Sequence, residues 1–122
     1  MTAGQVPEDK ASGTLRALIE EIDACIGQLH HARSRAETLV AAREQGRSWT
    51  DIVTGESRPL VVESISSVLG ALSTAGHAWR RDQAAALRAE DVSINRIATM
   101  FGVTRQRISA LLKEAGAPAD RR

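Results

Sequence analysis

The chain has no tyrosine, one phenylalanine and two tryptophans among its 122 residues. It also has no alternating apolar run and no hairpin-turn dipeptide, so strand signals are absent and no β-wing is expected. Cys25 is the single cysteine, which excludes an internal disulfide framework. No apolar run approaches bilayer-spanning length, and the first residues lack a signal-peptide core, so the chain reads as cytoplasmic. Ser/His/Asp and paired-carboxylate constellations, a phosphate loop and room for a catalytic domain are all missing, so neither an enzyme nor a cofactor is expected. His30 and His31 are adjacent and point in different directions on a helix, and His77 stands alone, so no metal site is expected either.

What is present is unevenly distributed. Residues 1–75 carry seven basic and ten acidic side chains, a net charge of −3, whereas residues 76–122 carry nine basic and five acidic, a net +4. The basic side chains are nearly all arginine, with only Lys10 and Lys113 as lysine. That preference fits a bacterial, GC-rich source as well as it fits function. A basic segment beside an acidic one suits a chain that meets phosphate through its C-terminal part alone.

Residues 1–12 are small and polar, interrupted by Pro7, and read as a disordered tail. From Thr14 to about Gln45 the pattern is helical. Leu15, Leu18, Ile22, Cys25, Leu29, Ala32, Ala36 and Leu39 recur at alternating spacings of three and four, a seam sustained over more than three heptads. Ile19, Ile26 and Val40 widen it, which suits a bundle better than a bare coiled coil. The seam is expected to pair two copies of the chain. The competing reading is that it packs only on the helices that follow. Cys25, within it, reads as a small buried apolar side chain, with a redox bridge between copies as the lesser alternative.

Gly46 is expected to end this helix and Ser48 to cap a short one, with Asp51 three residues on and Trp49, Ile52 and Val53 inward. Ser48, Trp49 and Ile52 repeat the register of Ser93, Ile94 and Ile97, but no basic second helix follows, so this stretch reads as packing. Pro59 suits the first position of a third helix with an apolar stripe from Leu60 to Leu72. A further helix from about His77 to Glu90 places Trp79, Ala86 and Leu87 inward and Arg80, Arg81 and Arg88 outward. Whether these last two helices are one is left open by Gly70 and the Ser73–Gly76 stretch. An effector pocket could form only between the helices at 14–45 and 59–73.

Residues 93–112, SINRIATMFGVTRQRISALL, carry the sharpest signal. Ser93 and Thr104 are good N-caps. Val92 with Ile97, and Val103 with Ile108, have the spacing of hydrophobic staples. Gly102 lies where a left-handed residue ends a helix, and Ala98 is small on the inner face. Ile94, Ile97, Phe101, Val103, Ile108, Leu111 and Leu112 supply a buried side. Gly116 and Pro118 form a stop.

Together these residues resemble the bacterial helix-turn-helix superfamily, above all the C-terminal domain of DNA invertases and the promoter-reading domain of sigma factors. The resemblance covers roughly residues 76–115. Asp91 departs from it, since many relatives carry glycine there. The resemblance implies that the N-terminal half of the second helix meets base edges. Arg105, Gln106 and Ser109 are then the base readers, since arginine suits guanine and glutamine suits adenine. Thr104, Arg107, Lys113, Asn95 and Arg96 are the expected phosphate contacts.

The expected architecture is all-α: a tail at 1–12, a helical dimerisation and packing region at 13–75, a helix-turn-helix DNA-binding domain at 76–116 and a tail at 117–122. The expected role is a dimeric transcriptional regulator that reads double-stranded DNA through its helix at 104–114. A protein-interaction adaptor, binding RNA polymerase or another regulator through its acidic helical half, is the alternative.

Overall fold

The computed structural model describes residues 9–116, and every regular element among them is helical. In chain order these are α1 (Lys10–Glu44), α2 (Trp49–Gly55), α3 (Val61–Ala89), α4 (Ile94–Phe101) and α5 (Arg105–Glu114). The architecture is therefore all-α with a long N-terminal helix. No helix among the described residues is long and apolar enough to cross a membrane. The tail expected at 117–122, and residues 1–8 of the N-terminal one, lie outside the described residues. Residues 10–12 are not tail but the first turn of α1, because the Asp9 carboxylate accepts the Ser12 backbone N–H at 2.7 Å and supplies the missing cap. Hydrogen bonding from Ser12 holds the Asp9 carboxyl below its ordinary range.

Two compact units divide the described residues: residues 20–73 form one, and the residues on either side of them form the other. In the first unit α1 ends where Gly46 takes a φ of 95°, with the Arg47 N–H returning to the Ala42 carbonyl. Ser48 caps α2 through the Asp51 N–H at 3.1 Å. Ile52 is buried, but Trp49 and Val53 are more than half exposed, contrary to the inward placement expected of them. A helix of seven residues, about two turns, has a single inward side, and Ile52 occupies it; Trp49 instead lies under the Arg43 guanidinium at 5.7 Å.

Pro59 is not the first helical residue. The turn is closed by two carboxylates, Glu63 accepting the Leu60 N–H and Glu56 the Val61 N–H, each at 2.7 Å, so α3 starts at Val61. From there it runs without a break to Ala89, which makes the expected third and fourth helices one element. Gly70, Gly76 and the serines lower helix propensity by up to about 1 kcal/mol each, but burial before and after them, at Val68 and Ala84, offsets that cost.

In the second unit the core comprises Ala84 of α3, Ile94, Ile97 and Ala98 of α4, and Ile108, Leu111 and Leu112 of α5, flanked by Val92 and Phe101. Val103, expected on the buried side, is 40% exposed. Arg80, Arg81 and Arg88 are half-buried, not outward. Arg80 stacks over the Phe101 ring at 4.1 Å, Arg81 pairs with the buried Asp82 at 2.9 Å, and Arg88 donates to the Val92 carbonyl.

The turn between α3 and α4 hinges on Asp91, whose φ is 67°. Left-handed backbone costs a residue with a Cβ on the order of 1 kcal/mol relative to glycine, somewhat less for aspartate. Asp91→Gly is therefore expected to stabilise the protein by about 0.5–1 kcal/mol. Thermal unfolding followed by circular dichroism would read this as a rise of a few degrees in midpoint. A fall would mean that the carboxylate makes a local contribution larger than the strain.

Candidate nucleic-acid interface

The helices α4 and α5 are set by their termini. The Ser93 hydroxyl accepts the Arg96 N–H, and the Thr104 hydroxyl accepts the Arg107 N–H, both at 3.1 Å. Between them Gly102 is left-handed, with a φ of 68°, and the Val103 N–H closes on the Ala98 carbonyl. These four features fix where each helix starts and how sharply the chain turns between them. Ile108, Leu111 and Leu112 then anchor α5 from one side, each essentially inaccessible to water.

At about 100° per residue, the direction away from Ile108 is occupied by Gln106, Ala110 and Lys113, and all three are exposed. Ser109 is half-buried at the edge of that face. Arg105 is exposed but stands on the flank nearer α4, where its Nη1 donates to the Asn95 Oδ1 at 2.8 Å. One expected base reader and one expected phosphate contact are thus joined, and Asn95 holds the guanidinium in a set direction. Arg96 is exposed on α4 and Thr104 at the tip of α5.

Arg107 takes the opposite flank. Its Nη2 lies 3.4 Å from the His77 Nδ1, and the His77 Nε2 lies 2.7 Å from the Glu114 Oε1. An arginine can only donate, so the arrangement suits an imidazole that accepts at Nδ1 and donates at Nε2. The His77 hydrogen bond, with smaller contributions from the charges of Arg107 and Arg81, holds the Glu114 carboxyl below its ordinary value of 4.5. Sequence reasoning left His77 isolated. Its partners lie 30 and 37 residues away, and only the packing of α3 beside α5 brings them together. Ala110 was also overlooked; its small side chain leaves the α5 backbone open between Gln106 and Lys113.

The residues of α4 and α5 include four cations, Arg96, Arg105, Arg107 and Lys113, against one carboxylate, Glu114. All four cations are exposed. Such a surface can hold phosphate oxygens through guanidinium and ammonium groups while presenting an amide and a hydroxyl beside them. Among the described residues no three His, Cys, Asp or Glu side chains converge as a metal site would require.

The seam residues of α1 do not share one environment. Cys25 and Ala32 are buried, Leu18, Ala36 and Leu39 half-buried, and Leu15, Ile22 and Leu29 exposed. The Cys25 Sγ lies 4.0 Å from the Val68 carbonyl and 3.7 Å from a Glu21 carboxylate oxygen. Burial first, and then the Glu21 charge, push its thiol above the ordinary value. Cys25 and Ala32, expected at a contact between copies, are instead buried within the chain, Cys25 against Val68 of α3. Between the two helices, toward α2, lies a cleft of about 300 Å³ lined by Leu39, Ile52 and Val61, with the Arg35 guanidinium donating to the Ser57 carbonyl beside it.

No protein-family model, no curated protein and no solved structure matches the chain.

Proposed function

We propose that the protein is a sequence-specific DNA-binding protein, a transcriptional regulator that acts as a pair of identical copies. In this reading α4 and α5 are a helix-turn-helix, α5 enters the major groove, and the second half of α3 supports it. The observation that carries it is the outer side of α5. A capped, firmly anchored helix turns Gln106, Ala110 and Lys113 to solvent, with Arg105 braced by Asn95 at its leading end. An amide and a guanidinium near a helix N-terminus are the groups that pair bidentately with adenine and guanine edges. Thr104, Arg96 and Lys113 would grip the backbone on either side, while Ser109 stands behind the two readers. Arg107, beside His77, would be a further phosphate contact.

Two identical reading helices related by a two-fold axis call for a pseudo-palindromic site, with half-sites about one helical turn, or a multiple of it, apart. Selection of bound sequences from a random duplex pool tests this directly. An enriched two-fold site is expected, and retention should fall steeply as salt rises, since each neutralised phosphate releases counterions. A protein that retains no duplex even at low salt would overturn the proposal and turn attention to a protein-binding adaptor.

A further inference from the structure

Within residues 20–73, α1 and α3 are antiparallel: Cys25 meets Val68, and Arg35 further along α1 meets Ser57, which precedes α3. Cys25 and Val68 mark the inward directions of the two helices. At about 100° per residue, Ile22, Ile26 and Leu29 lie 40–100° to one side of Cys25. By the same count Val62, Ile65 and Leu69 lie about 60–120° to the same rotational side of Val68. In an antiparallel pair, equal rotation brings both sets to one face. The other face is polar, and Gln28 and His31 share a shallow cleft there with Ser64 and Ser67. The helix pair therefore has one wet side and one apolar side, and all six aliphatic side chains of the apolar side are 39–67% exposed.

We infer that this apolar face is covered by the same face of a second copy, so that α1 and α3 of two chains form a four-helix bundle. Rotation by half a turn presents each chain with the surface it offers, and the charged side chains beside the six, Arg33 and Glu37, pair with each other at 3.8 Å. Burying them completely in both copies removes on the order of 1,000 Å² of apolar surface, the lower bound for a specific interface. A two-helix layer that is apolar on one side is half of such a bundle. The inference deepens the paired-copy part of the proposed function and moves its surface. Ile22 and Leu29 of the expected seam make the contact together with Ile26, Val62, Ile65 and Leu69, and Cys25 and Ala32 do not.

Sedimentation of the full chain tests it. The wild-type protein is expected at twice its 13.1 kDa mass at micromolar concentration. Ile26→Glu with Leu69→Glu should weaken pairing about 100-fold or more, since each places a charge in an apolar contact. Both positions are half exposed or more in the single chain, so helicity by circular dichroism should persist. Gln28→Glu, on the polar side, should leave pairing intact. A wild-type monomer at high concentration overturns the inference, as does a double variant that pairs like wild type or a Gln28→Glu variant that fails to pair. A wild-type dimer that retains no duplex DNA overturns the reading of α5 and leaves this interface standing; a monomer that retains duplex does the reverse.

Discussion

Ile97→Ala is expected to cost about 2–5 kcal/mol of stability, the range for removing most of a fully buried aliphatic side chain. Ile97 is completely buried within an aliphatic cluster, so the loss is one of transfer and cavity. The core around it is small, seven buried side chains of which two are alanine. Little nearby can collapse into the space. A small domain has about 5–15 kcal/mol in all, so a large share of the helices' stability rests on this one side chain. Chemical denaturation of the variant beside Met100→Ala provides the measurement. Met100 is more than half exposed on the same helix, and its loss should change stability by about 0.5 kcal/mol or less. If Ile97→Ala cost no more than Met100→Ala, α4 would not be held by the packing described.

The second large effect is on recognition. Arg105→Ala is expected to remove preference at one base pair of each half-site, a loss of about 1–3 kcal/mol of discrimination against the wrong base. Asn95→Ala should give a smaller loss at the same position. The Asn95 amide oxygen accepts from the Arg105 guanidinium at 2.8 Å, so its removal leaves the guanidinium in place but less directed. Lys113→Ala should behave differently, weakening all sequences alike and lowering the salt slope by about one. Competition binding to the selected site and its single-base variants separates these patterns. Uniform weakening by Arg105→Ala would make Arg105 a phosphate contact and leave Gln106 as the leading base reader.

The parts of the fold that depend on a few neighbouring residues were legible from the chain. Ser48, Ser93 and Thr104 cap helices because each hydroxyl reaches an N–H three residues on, and Gly46 and Gly102 turn left-handed where helices end. The all-α class follows from the same local signals. Legibility failed where the outcome depended on distant residues. Seam spacing marks a broad apolar side of α1 but does not say which edge meets α3; Cys25 and Ala32 turned inward while Ile22 and Leu29 stayed exposed. Trp49 has the bulk of a core residue, yet α2 is too short to bury it along with Ile52. The continuity of α3 was hidden by its glycines, whose local cost is smaller than the burial on either side of them. At the candidate site, the capped helix and its exposed residues could be read in advance, but the Arg105–Asn95 and Arg107–His77–Glu114 linkages could not. They need helices brought side by side.

One consequence concerns the thiol set against Val68. Cys25 is the only cysteine of the chain and is 2% exposed. A thiol reagent in solution can reach it only in molecules where α1 and α3 have parted locally. The rate of its modification, compared with that of the denatured chain, therefore measures how often that opening occurs. No label need be engineered, and pairing of two copies over the neighbouring aliphatic face should slow the reaction as protein concentration rises.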